Sequence, residues 1–163
     1  MFQLLRKSIL FFLIIECSIY CVGFIDYVEN HNLVVGCKPS YTSLSLEELD
    51  ESGKLTPLDV LTPVYESSIG SCSFNDSSNI VCVSTTDCDI HLWDIHTQSD
   101  VRSFLSEKPI LQWQRYIQSD TWIGSNSDAM VLVDSRDDII HPFSSFSNIQ
   151  SFSLSSDKKY LIV

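Results

Sequence analysis

Two histidines, His91 and His96, stand on either side of Trp93, and three carboxylates, Asp134, Asp137 and Asp138, crowd the stretch after a second apolar run. Imidazoles act as general bases or metal ligands when a nucleophile or further ligands stand at defined spacing. Neither His91 nor His96 has a Cys or Ser placed by any recognised motif, so both read as residues on a strand surface. The three aspartates lack the glycine-punctuated loop that cradles calcium and read as a solvated turn after a strand. The cysteines Cys17, Cys21, Cys37, Cys72, Cys82 and Cys88 contain no CxxC pair and have no histidine at zinc-ligand spacing. They are expected to be small buried apolar residues in a reducing compartment, with disulfides open only to a secreted chain. No GxSxG, HExxH, GxxxxGK(S/T) or GxGxxG motif occurs. A non-catalytic chain without cofactor or metal is expected.

Charge narrows the partners. The 163 residues carry 10 Lys+Arg against 21 Asp+Glu, a net charge of −11, and 44% of them are apolar. A phosphate backbone is gripped by clustered cations, and the chain has only the pairs Arg6-Lys7 and Lys158-Lys159. Nucleic acid is therefore not an expected partner, whereas a basic or mixed protein surface is.

The elements that would position these residues begin with an ambiguous N-terminus. Arg6-Lys7 precedes the run Ile9-Leu10-Phe11-Phe12-Leu13-Ile14-Ile15, and a second apolar stretch spans 19–25. A basic start, an apolar core and small residues such as Gly23 are the pattern of a signal peptide. A membrane span is disfavoured, because Glu16 falls near the middle of the stretch 8–25. The other reading is a buried strand leading into a turn-like stretch at 26–32 before Leu33-Val34-Val35-Gly36. Both readings stand at this point. The sequon Asn75-Asp76-Ser77 falls in an expected hairpin turn and bears only on a secreted chain.

An internal repeat favours the strand. Thr85-Thr86-Asp87-Cys88-Asp89-Ile90-His91-Leu92-Trp93-Asp94 is echoed 40 residues on by Ser125-Asn126-Ser127-Asp128-Ala129-Met130-Val131-Leu132-Val133-Asp134. Leu44-Ser45-Leu46-Glu47 repeats the end of that pattern more faintly. Matching hairpins open at Ile69, Ile110 and Ile149, spaced 41 and 39 residues apart. Each unit holds short apolar or alternating runs separated by Ser, Asn and Asp turns. A period of roughly 40–45 residues with four strands is that of a propeller blade. The expected fold is all-β, a partial β-propeller of about three four-stranded blades plus the start of another, over 19–163, with 1–18 an apolar N-terminal segment.

The marked unit resembles the WD40 repeats, whose signature runs hydroxyl, x, Asp, x, polar, apolar, x, apolar, Trp, Asp. Thr85, Asp87, Asp89, Ile90, Leu92, Trp93 and Asp94 fill those places. The next unit departs, with Ser127 for the turn Asp and Val133 for the Trp, and the opening Gly-His pair is absent throughout. In that family a hydroxyl, the turn Asp, the Trp and the opening His form a hydrogen-bonded set. The resemblance thus implies a structural role for Thr85, Asp87, Trp93 and Asp94, with the His place empty. On chemistry alone, Asp87 can accept backbone hydrogen bonds in a tight turn, and Trp93 offers a plate for packing between blades.

The resemblance also implies function. Cys21-Val22-Gly23-Phe24-Ile25-Asp26 with Leu33-Val34-Val35-Gly36, and Asp120-Thr121-Trp122-Ile123 through Val131-Leu132-Val133-Asp134-Ser135-Arg136, are similar to a cytoplasmic member linked to the mitotic cytoskeleton. That implies a cytoplasmic adaptor binding other proteins through propeller faces. Family members that dock onto cullin-ligase adaptors carry Trp-Asp-x-Arg at the end of a third strand, which makes Arg136 in Asp134-Ser135-Arg136 a candidate adaptor contact. The plainer reading is an exposed arginine in an acidic loop, since Val133 replaces the Trp. A secreted or luminal propeller and a cullin-ligase substrate receptor are the alternatives. Closed propellers have roughly 4–8 blades. A chain with fewer is expected to self-associate through uncovered strand edges.

Overall fold

The computed structural model describes residues 24–28, 33–37, 42–50, 52–57, 63–75, 78–116, 120–145, 148–155 and 159–163. The segment 1–18, the strand start expected at 19–23, Cys17, Cys21, and the pairs' residues Arg6, Lys7 and Lys158 lie outside them. Every described element is a strand: β1 (Phe24–Val28), β2 (Leu33–Cys37), β3 (Ser45–Leu49), β4 (Leu55–Pro57), β5 (Ile69–Asn75), β6 (Ile80–Thr85), β7 (Asp89–Asp94), β8 (Ser99–Leu105), β9 (Gln112–Arg115), β10 (Thr121–Ser125), β11 (Ala129–Asp134), β12 (His141–Ser145), β13 (Ser153–Leu154) and β14 (Leu161–Ile162). They form three four-stranded antiparallel meanders, β1 to β4, β5 to β8 and β9 to β12, followed by the hairpin β13–β14. The first strands neighbour one another across sheets, β5 lying beside both β1 and β9. This is the partial propeller expected from the 40-residue period.

Each joint between sheets is a separate apolar core, and strand alternation supplies it. Val81, Val83 and Trp93 face the first sheet and pack with Leu44, Leu46, Ile69 and Phe74. Their neighbours Ile80, Cys82, Ile90 and Leu92 face the third sheet and meet Ile110, Trp113, Trp122 and Val133. Ile123 and Met130, on the far face of the third sheet, pack with Ile149 and Phe152 of the last hairpin. Because the middle strands are covered on both faces, β6 reads Ile-Val-Cys-Val-Ser-Thr with every residue buried, a continuous run rather than an alternating one.

Val133, which breaks the sequence repeat, is compensated across the ladder. Trp93 lies opposite Val81 in the second sheet, and Val133 lies opposite Trp122 in the third. The same Trp–Val cross-strand pair is present in both, with its members exchanged between strands, so the first two joints both keep a Trp plate from this pair.

Polar side chains stitch the joints. Trp113 Nε1 donates to Ser84 Oγ at 3.0 Å, and that hydroxyl donates to the Ile110 carbonyl at 2.8 Å. Gln112 grips the last hairpin through both amide atoms, donating to the Phe152 carbonyl at 3.0 Å and accepting from the Phe152 N–H at 3.2 Å. Gln114 repeats this on Phe152 and Leu154.

Three expectations need correction. The turn-like stretch 26–32 is strand as far as Val28, since Asp26, Tyr27 and Val28 pair with Val35, Val34 and Leu33. The sequon residue Asn75 is not in an open turn; it ends β5, is fully buried, and its Oδ1 accepts from Arg115 Nη1 at 3.3 Å. Cys72 and Cys82 are buried, but Cys88 is only partly so and occupies the left-handed region at φ 78° in the β6–β7 turn. None of these three forms a disulfide, and burial pushes the Cys82 thiol well above its usual range.

Gly124 tests the second joint. A Cβ there would lie 2.5 Å from Trp113 Cζ3 and 2.8 Å from Ile110 Cγ2. The Trp113 ring is pinned by its bond to Ser84 and cannot retreat freely. Gly124→Ala should therefore destabilise the fold by about 1–3 kcal/mol, the usual cost of overpacking, measured as a lower urea midpoint with an unchanged native β-spectrum.

Candidate functional site

The β6–β7 connection is a three-residue loop, Thr86 to Cys88, closed by a hydrogen bond from the Cys88 N–H to the Thr85 carbonyl. A type I turn followed by a left-handed residue is the geometry such loops adopt, and Cys88 takes the left-handed place. Asp87 Oδ1 accepts from Thr85 Oγ1 and from Ser67 Oγ, both at 2.5 Å. The Ser67 hydroxyl, then that of Thr85, holds the Asp87 carboxyl below its usual range. Asp87 thus ties its turn chiefly through hydroxyls, where backbone N–H groups were expected. Ser67 belongs to the linker that leads into β5, so the bond ties linker to turn. The third sheet has a counterpart at the same spacing of 20 residues, an ion pair between Lys108 and Asp128.

Between that linker, the Asp87 turn and strands β7 and β8 lies an open groove of about 420 Å³. Tyr65 forms one wall, anchored by its N–H to the Thr42 carbonyl at 2.7 Å. Its ring faces that of His91, with centroids 4.4 Å apart and planes tilted by 34°. His91 Nδ1 in turn lies 3.2 Å from Asp100 Oδ2 on β8. Glu66, Asp87, Asp89 and Asp100 contribute four carboxylates, and among the described residues no lysine or arginine lines the space. Burial, and secondarily the Asp100 charge, raises the Tyr65 phenol far above its usual range. Its hydroxyl is buried without a hydrogen-bond partner among the described residues.

The structure brings Thr85 and Asp87 together in this site and places the other motif residues elsewhere. Trp93 lies on the same face of the sheet as His91, buried in the first joint, as a plate between blades. Asp94 ends β7 and caps the next turn, accepting the N–H groups of His96 at 2.7 Å and Thr97 at 3.3 Å. Asp134 does the same after β11 for the Arg136 N–H at 2.9 Å, which gives the repeated Asp a physical reason. Arg136 is exposed, yet its guanidinium folds back onto Asp134, with Nε 2.8 Å from Oδ1. The cluster Asp134, Asp137, Asp138 is divided among partners: Asp137 lies against His141 and Asp138 pairs with Arg102, while Asp134 is buried and also accepts from Thr121 Oγ1. No group of three or more His, Cys, Asp or Glu is placed to hold a metal ion among the described residues.

His91 is a wall of the groove rather than a plain surface residue, because the linker carrying Tyr65 covers it. His96 lies in the β7–β8 turn, not on a strand. Sequence reasoning missed Tyr65, Ser67 and Asp100, which come from a linker and an outer strand with no motif. It also missed Asn126, whose Oδ1 accepts the N–H groups of Asp128 at 2.9 Å and Ala129 at 2.8 Å and so does the turn-holding work sought at Ser127. The polar turn signal Ser-Asn-Ser-Asp held that answer, since Asn is the better local acceptor.

Two outcomes follow from these turns. Asp87→Ala should lower the unfolding midpoint clearly, whereas Ser127→Ala should barely move it, as Ser127 is exposed and Asn126 holds its turn; urea titration of both variants compares them. The Asp134 carboxyl is held down to about 2, first by the Arg136 guanidinium and then by the Arg136 N–H and Thr121 hydroxyl. A depressed folded-state value adds stability that is present above the ordinary carboxylate range and is lost as pH falls toward 2. Asp134→Asn should cost about 1–2 kcal/mol at neutral pH, allowing for solvent screening at Arg136, and should flatten the acid limb of stability against pH.

No protein-family model and no curated protein sequence matches the chain. Among the described residues no helix is long and apolar enough to cross a membrane. The fold is similar to that of a solved structure of Kuenenia stuttgartiensis hydrazine synthase, with a TM-score of 0.69 and 12% identity, covering 86% of this chain and 41% of that one. The present chain therefore spans less than half of that neighbour's length, and at this identity the likeness concerns the fold alone.

Proposed function

We propose that this chain is a non-catalytic scaffold of the WD40-repeat kind, which binds other proteins through propeller faces in the cytoplasm. The observation that carries the reading is the use made of the signature residues. Thr85 and Asp87 hold a turn, Asp94 caps the next one, and Trp93 fills a joint between sheets. Those are architectural tasks, the ones the WD40 resemblance implies for these places, with Ser67 Oγ on Asp87 where the family's opening His is missing. Recurring blade motifs that serve architecture leave loops and faces to bind partners. Cys21 to Asp26 with Leu33 to Gly36, and Asp120 to Ile123 with Val131 to Arg136, are similar in sequence to WD repeat-containing protein 73, and on that similarity the adaptor would act with the mitotic cytoskeleton. Exposed apolar side chains such as Leu105 and Ile162 add surface for self-association.

The test is affinity purification of the tagged full chain from dividing cells, with fractionation. Reproducible, near-stoichiometric protein partners in the cytosolic fraction are expected, including tubulin-associated proteins. Absence of any such partner would refute the scaffold reading. An Asn75-glycosylated chain in the luminal fraction would refute the cytoplasmic one, and loss of all partners on Arg136→Ala alone would favour a ligase receptor.

A further inference from the structure

The hairpin β13–β14 forms a sheet of its own, closed by two residue pairs, Ser153 with Ile162 and Leu154 with Leu161. Its attachment to the third sheet is made by side chains and one turn bond. Gln112 and Gln114 bond to the main chain of Phe152 and Leu154. The Ile149 N–H donates to the Ser127 carbonyl at 2.8 Å, and Ile149 and Phe152 are buried on Ile123 and Met130. The other face of the hairpin is open, with Tyr160 and Ile162 exposed. The hairpin is thus able to leave as a unit without breaking any ladder of the three meanders. Its departure uncovers Ile123 and Met130, and burying them again is the driving force for redocking.

The chain enters this joint through a bend held in an unfavourable conformation. Asn148, immediately before the first docked bond, lies in the left-handed region at φ 62°. Asparagine tolerates that region better than most residues, but an extended backbone is still easier for it. Letting Asn148 extend carries Ile149 and the hairpin away from their own third sheet. A second copy then offers a joint identical in every contact, so the docked interactions are the same in cis and in trans. What differs is the bend at the hinge against the high local concentration of a hairpin held in cis. Short hinges under strain favour such an exchange.

We propose that the segment from Ile149 onward exchanges between two copies of this chain, each hairpin docking on Gln112, Gln114, Ile123 and Met130 of the other, with Asn148 as the hinge. The result is a closed, two-fold dimer in which all three meanders keep their pairing. It depends on no other reading of function, and it is distinct from association through open strand edges.

The full chain, held at high concentration in moderate urea and returned to buffer, is resolved by size exclusion with light scattering. A dimer with the native β-spectrum is expected. Asn148→Val disfavours the left-handed region and should raise the dimer-to-monomer ratio by about tenfold. Asn148→Gly relieves the bend and should lower that ratio by about threefold. Both changes fall on an exposed residue and leave the core intact. A mixing experiment reads the exchange itself. Phe152→Ala spoils the hairpin, and Gln112→Ala with Gln114→Ala spoils its receptor. Taken through urea together under different tags, these two variants should capture each other several times better than either captures itself, because one joint of the mixed dimer is fully intact. A chain that stays monomeric at every concentration would overturn the proposal. So would a ratio that both hinge variants leave unmoved or shift the same way, or mixed capture no greater than self-capture.

Discussion

Burial of the middle strands on both faces is the constraint from which the rest follows. A sheet covered on one face can stand alone with a polar back, but β6, buried at every residue, has no polar back to offer. Val81 and Trp93 need the first sheet, while Cys82, Ile90 and Leu92 need the third. Each meander is therefore stable only between neighbours, as in repeat architectures generally. The exchange of Trp and Val between β10 and β11 follows from the same constraint. What is held fixed is the volume at the joint, whichever strand delivers it.

Hydrogen-bonded clamps act on top of that apolar frame and are unevenly distributed. The second joint has an indole bonded to a hydroxyl, and the third has two amides bonded to main chain. Turns are closed by side-chain acceptors, Asp87, Asp94, Asn126 and Asp134, each at the end of a ladder. Trp122 Nε1, by contrast, is buried without a partner among the described residues. An orphaned donor of that kind costs about 1–3 kcal/mol, so the ring's contribution to packing in the second joint must outweigh it.

The fold was legible because the period survived where individual residues did not. Ile69, Ile110 and Ile149 begin or precede the inner strands of successive units, and Asp94 and Asp134 cap equivalent turns, so spacing alone gave the meanders. Val133 looked like decay because a one-strand motif cannot register a swap with Trp122 across the ladder. The groove was less legible. Thr85 and Asp87 announced a turn, and the structure put them where the sequence did, but Tyr65, Ser67 and Asp100 join them only through three-dimensional closure of a linker. Asn75 shows the reverse failure. Its sequon is a pattern of three residues, whereas its fate depends on Arg115, 40 residues away.

Gln112 and Gln114 hold the last hairpin by its peptide groups and ignore its side chains. Such a joint discriminates poorly between sequences. Any extended segment presenting free N–H and C=O groups at the right rise could be gripped in place of Phe152 to Leu154, provided it also offers an apolar residue to Ile123 and Met130. The joint is thus a generic coupling rather than a keyed one.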